Sequence, residues 1–150
     1  MAVRSANTHG IGADPIGVLR EAQRMQKQDP ESYDSTWLLV DVDAHVRLPR
    51  CLKEAAAAGI RVSVSNPCFE IWLLWHFENM SAHQSSDWLR RRLRTYGLEG
   101  KSIGAAFPFG QHSMAVTRAQ DKGQTASLGV IGPNPSSALP HLVEALQTQR

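Results

Sequence analysis

The sequence predicts an α/β fold: a mostly parallel sheet of few strands, followed by a helical C-terminal half. Three observations predict it. The runs Trp37-Leu38-Leu39-Val40 and Arg61-Val62-Ser63-Val64-Ser65 are short, apolar or alternating, and rich in residues that favour strands. Each follows a segment of helical periodicity, and helix, strand, helix, strand in short steps is a βαβ arrangement with parallel pairing. Beyond Asn66-Pro67 the recurring pattern is helical.

Taken in order, Ala2-Val3-Arg4 has the composition of a strand fragment, and the turn formers from Asn7 to Pro15 make a loop. Asp14 can cap a helix that opens with Pro15. Ile16, Leu19, Ala22 and Met25 then recur at helical spacing, carrying that helix to Gln28, where Asp29-Pro30 ends it. A strand is expected over Ser35 to Val42. Leu48 to Ala58 contains good helix formers and closes on Gly59. The second strand, Arg61 to Ser65, leads to Asn66-Pro67 and then to Cys68–Glu78, a helix apolar on nearly every face and therefore buried in a core or an interface. Ser85 or Ser86 caps a helix through Tyr96, ended by Gly97. Residues 97–110 read as loop, Ser113 to Gln120 as helix, Gly123 to Ser136 as a surface loop, and Ala138 to Gln147 as the last helix.

The chain has 150 residues, enough for one domain with a real core. It divides into an α/β part, 1–67, and a helical part, 68–150. Its 42% hydrophobic and 20% charged content are those of a soluble globular chain. A net charge of +2 neither demands nor excludes a nucleic-acid partner. The longest apolar run, Ile71 to Trp75, is far short of the roughly 20 residues of a membrane span, and no signal peptide is visible. Cys51 and Cys68 have neither metal-ligand nor disulfide-framework spacing, which fits a reducing, cytoplasmic setting.

Chemistry concentrates at Asp41-Val42-Asp43. Side chains two apart share a face of a strand, so both carboxylates point the same way at a strand's carboxyl end. Two like charges held close repel unless a cation lies between them or one is protonated. The pair therefore reads either as a solvated turn or as a site for Mg²⁺, a hard cation that takes oxygen ligands. Asn66 lies at the corresponding end of the second strand, where ligands of α/β sheets collect. Glu70 falls in the first turn of the apolar helix, where the helix dipole favours a negative charge. Its functional alternative is a carboxylate facing the Asp pair, as ligand or general base. His45 follows Asp43 closely and could touch phosphate or metal. His76 and Cys68 read as core residues rather than ligand and nucleophile. Arg90, Arg91, Arg92 and Arg94 form the densest basic cluster, a solvated helix face or one that binds phosphates. Gly10 and Gly12 lack the third glycine of a dinucleotide fingerprint.

Ser65-Asn66-Pro67-Cys68-Phe69-Glu70-Ile71-Trp72-Leu73-Leu74-Trp75-His76-Phe77 resembles the signature block of the RloB-like family. Leu39-Val40-Asp41-Val42-Asp43-Ala44-His45 is similar to that family's strand ending in DxD, Gly12-Ala13-Asp14-Pro15 to the opening of its preceding helix, and Asn134-Pro135-Ser136-Ser137 with His141-Leu142-Val143 to its C-terminal helix. The resemblance implies a Toprim-like (Rossmannoid) sheet and a bacterial or archaeal anti-phage defence role of the abortive-infection kind. It also implies Mg²⁺ held by Asp41 and Asp43, and a RloA-type ATPase as partner. Family members carry an acidic Glu-Gly-Glu type motif upstream, with a Glu thought to act in acid/base chemistry. No acidic residue precedes Asp14, so an N-terminally truncated reading without the first strand is expected.

The expected function is Mg²⁺-dependent phosphodiester cleavage on DNA or RNA. Asp41 and Asp43 would be metal ligands and catalytic, Glu70 a possible third carboxylate, and His45, Arg90, Arg91 and Arg94 would contact nucleic acid. The alternative is a non-catalytic module that docks the ATPase or a second copy through an exposed sheet edge and the apolar helix. A third option is a nucleotide-binding or phosphatase-like protein that uses the same carboxylates on a small molecule.

Overall fold

The computed structural model describes residues 8, 10, 14–31, 33–43, 46–100 and 103–148. Ala2-Val3-Arg4, Gly12-Ala13 and His45 lie outside them. The first helix, α1 (Pro15–Gln28), begins as its sequence dictates: Asp14 Oδ1 accepts the Gly17 amide at 2.7 Å, and Pro15 occupies the first turn. Strand β1 (Trp37–Asp41), helix α2 (Leu48–Ala57) and strand β2 (Arg61–Asn66) follow, with Gly59 at φ +69° turning the chain out of α2.

β1 and β2 pair in parallel, Trp37 opposite Arg61 and Asp41 opposite Ser65. Alternation gives the sheet two unlike faces. Leu38, Val40, Val62 and Val64 are buried against Ile16 and Leu19 of α1 and Leu48, Cys51 and Ala55 of α2. On the other face Ser63 and Ser65 of β2 are buried, whereas Leu39 at the centre of β1 is 46% exposed.

The sheet is small and mixed, which corrects the expectation of a mostly parallel one. A third strand, β3 (Ser136–Ser137), runs antiparallel to β2, giving the order β1-β2-β3. It comes from the C-terminal half. It is held less by apolar side chains than by polar ones: Ser65 Oγ and Ser137 Oγ lie 2.9 Å apart, buried.

The second core is helical. It is built from α3 (Glu70–Trp75), α4 (Ser86–Arg94), α5 (His112–Asp121) and α6 (Leu139–Thr148), with a short 3-10 turn at Phe109–Gln111. α3 is shorter than the Cys68–Glu78 span expected, because the chain turns back after Trp75, whose indole N–H donates to the Met80 carbonyl at 3.1 Å. Trp72, Leu73, Leu74 and Trp75 are buried among Leu89, Leu93, Phe107, Ala115, Ala119 and Leu139. The all-round apolar helix is thus covered by this chain's own helices. α4 starts on Ser85, whose hydroxyl accepts the Trp88 amide, and Gly97 at φ +85° follows its end. Among the described residues no helix is long and apolar enough to cross a membrane.

Candidate functional site at the carboxyl ends of the parallel strands

Asp41 and Asp43 stand where the alternation places them, at and just past the end of β1. The backbone there is pinned to the next strand: Val42 N–H donates to Ser65 O at 3.0 Å and Asp43 N–H to Pro67 O at 3.1 Å. The two carboxylates have different surroundings. Asp41 is half-buried, and its Oδ1 accepts the Phe69 amide at 2.9 Å, at the entry to α3. Phe69 supplies no side-chain cap of its own, so Asp41 does this for α3 from a different element. Asp43 is exposed.

They line two different clefts. Asp41 opens onto a groove of about 400 Å³ that wraps the edge of β1, with Val18, Leu39, Ser65 and Phe69. Asp43 opens onto a cleft of about 410 Å³ between the strand ends and the start of α4, with Asn66, His83, Ser86, Asp87 and Asn134. That cleft is built by two asparagines. Asn66 Nδ2 donates to Gly132 O at 2.8 Å. Asn134 holds the Gln84 backbone at both ends, accepting its N–H at 3.0 Å and donating to its carbonyl at 2.8 Å. Each precedes a cis proline, Pro67 and Pro135. The one sequence signal of this clamp is the repeated Asn-Pro pair.

Glu70 turns to a different partner. Its Oε1 accepts Arg90 Nε at 3.0 Å, and Arg90 also reaches Asp87 at 3.5 Å. Arg92 is engaged by Glu78, whereas Arg91 and Arg94 are exposed and form no ion pair among the described residues. Burial pushes the Cys68 thiol up to about 12, so it is a thiol and not a thiolate at neutral pH. His76 is buried, its Nδ1 2.9 Å from Trp72 O.

The donor chemistry suits a hard cation in part. Mg²⁺ commonly takes one or two carboxylates and keeps several waters. Asp41 and Asp43 are carboxylates of that kind. Among the described residues no group of three His, Cys, Asp or Glu side chains gathers as a metal cluster, and Glu70 is committed to Arg90.

The family model of RloB-like protein matches residues 2–146, nearly the whole chain. No curated protein and no solved structure matches the chain.

Proposed function

We propose, for a chain that belongs to the RloB-like protein family, Mg²⁺-dependent cleavage of nucleic-acid phosphodiesters as part of bacterial anti-phage defence of the abortive-infection kind. One observation carries the reading: two carboxylates stand at the carboxyl end of β1, beside its parallel neighbour β2, where α/β sheets place their ligands. Asp43 and Asp41 would hold the cation, which when bound polarises a phosphate oxygen and lowers the pKa of its water. The chain's own residues do the rest. Asp41 ties the strand end to the entry of α3, fixing where the carboxylates stand. Glu70 is paired with Arg90 and orients its guanidinium. Arg91 and Arg94 offer exposed cations to a phosphate backbone.

Labelled DNA and RNA incubated with the purified protein and Mg²⁺ are expected to be cut, and EDTA or Asp43→Asn to stop the cutting. Undiminished cutting by the Asp41→Ala/Asp43→Ala double variant overturns the metal site.

A second reading, a non-catalytic module that self-associates or docks a RloA-type ATPase, is favoured by the edge of β1. There Leu39 is exposed beside an open groove, and no strand pairs with that edge among the described residues. The buried Trp72 and Trp75 no longer support it. A monomer by sedimentation that fails to bind the ATPase would remove it.

A further inference from the structure

Strand β1 has a neighbour on one side only among the described residues. Two contacts fix which of its backbone groups face the other side. Val42 N–H donates to Ser65 O, and Thr36 O accepts Arg61 N–H. Successive residues of a strand turn their N–H and C=O groups to opposite sides, so the even-numbered residues of β1 serve β2 and Leu39 turns both groups to the open edge. Such an edge is a template for another strand.

Helix α1 overhangs that edge. It packs on β1 and on α2, and α2 packs on β2. Helices pack about 8–10 Å apart and strands about 4.7–4.9 Å apart, so a helix beside α2 stands out beyond β1. Pro15 and Val18 of α1 accordingly line the groove at the edge, with Leu39, Val40, Asp41 and Phe69. Handedness says what runs beneath. β1, α2 and β2 form a parallel crossover, and such crossovers are nearly always right-handed. α1 and α2 cover the same face of the sheet. A strand that enters α1 with the same hand therefore lies on the side of β1 away from β2. It runs parallel to β1 and finishes at the Asp41 end, where α1 begins.

We propose that the open edge of β1 is the docking site of the chain's own Ala2-Val3-Arg4 segment, as a fourth strand parallel to β1. The segment lies outside the described residues and precedes α1, as the crossover requires. Residues 5–13 leave ample chain for the return to Asp14 at the same end of the sheet, since an extended residue spans about 3.3–3.6 Å. Alternation sets the register. With Val3 beside Val40, Val3 faces α1, and Ala2 and Arg4 take the open face beside Leu39 and Asp41. A slip of one residue would put Arg4 under α1. A second copy suits the edge less well, because a two-fold there would bring two copies of α1 together over adjacent strands. The proposal is independent of the phosphodiester reading, and it takes the edge that the second reading gives to a partner.

Hydrogen exchange and cross-linking of the 150-residue chain test it. Leu39 N–H is expected to exchange slowly at every protein concentration, like Val40 N–H, which faces β2. Val3→Asp sets a charge under α1. It is expected to speed Leu39 exchange about tenfold, the worth of one backbone hydrogen bond, and to leave Val40 unchanged. Adjacent strands lie about 4.7–4.9 Å apart, within the Cα range of a disulfide. Ala2→Cys/Leu39→Cys is therefore expected to close a disulfide within one chain on mild oxidation. Val3→Cys/Leu39→Cys, with its side chains on opposite faces, is expected not to. The native Cys51 and Cys68 are both buried.

Solvent-fast exchange of Leu39 in the unsubstituted chain overturns the proposal. Slow exchange that sets in only at high concentration, or a disulfide between two chains, overturns it in favour of a second copy. Protection that survives Val3→Asp, with no cross-link from Ala2→Cys, assigns the edge to another segment. Equal cross-linking by both cysteine pairs overturns the strand, since it means that no register is held. None of these outcomes bears on Mg²⁺-dependent cleavage, which stands or falls on its own assay.

Discussion

His76 shows how one buried residue sets a pH response. Its ring is 5% exposed and sits against the Trp72 and Phe107 rings, at 4.9 and 4.8 Å. Burial lowers its pKa, with His112 and Arg118 adding to the effect against the opposing hydrogen bond to Trp72 O. The unfolded chain therefore takes up this proton first, at about 6.5, while the folded protein resists it. Between the two pKa values the unfolded state holds more protons, so stability rises with pH there and falls as pH drops from about 6.5 toward the folded value. Urea titrations between pH 7.5 and 5 are expected to show this loss, and His76→Gln to flatten it. Carboxylates titrate mostly below that window, which keeps the comparison clean. An unchanged slope in the variant would place the proton uptake at another group.

At the scale of elements, the carboxyl end of β1 is locked to the entry of α3 by one side chain. Asp41 Oδ1 is the acceptor for the Phe69 amide, and a hydrogen bond to a charged group contributes about 1.5–3 kcal/mol. Asp41→Ala is expected to lower unfolding stability by about that amount, and Asp41→Asn, which keeps an acceptor oxygen, by less. Asp43→Ala, at an exposed position whose backbone bond to Pro67 survives, is expected to stay within about 0.5 kcal/mol. Chemical denaturation of the three variants checks the order. The sequence could show that Asp41 and Asp43 share a strand end, because the period of two is local. It could not show that Asp41 would serve Phe69, 28 residues on, or that Glu70 would meet Arg90, 20 residues on. Those pairings depend on how helices stack. The same division holds for secondary structure. α1, β1, α2 and β2 were legible because periodicity, Asp14-Pro15 and Gly59 mark them. β3 was not, since Ser136-Ser137 has no apolar alternation and acquires strand geometry only from Ser65 and Asn66.

On the scale of the molecule there are two apolar cores, and the 129–136 loop is one of the seams between them. Its Gly129 N–H donates to Val62 O at 2.8 Å, its Gly132 carbonyl accepts Asn66, and its Asn134 holds the Gln84 backbone ahead of α4. The loop therefore grips the α/β core and the helical core at once. Gly132 is where it lies closest to its neighbours. A Cβ there would stand 2.5 Å from Ser136 Oγ and 2.9 Å from Ala126 Cβ, so Ala forces the loop to move. Overpacking of this kind typically costs about 1–3 kcal/mol. Gly132→Ala is expected to lose that much stability. Because one loop serves both cores, the loss is expected in a single shifted transition, seen together by far-UV circular dichroism and by tryptophan fluorescence, to which Trp37 contributes from β1 and Trp72, Trp75 and Trp88 from the helical half. Gly104→Ala is the control: its Cβ would meet nothing within 4 Å, and a change within about 0.5 kcal/mol is expected. Two separated transitions in Gly132→Ala would mean that the cores fold independently and that the loop only covers them. Equal stability of the two variants would mean that the loop yields at no cost.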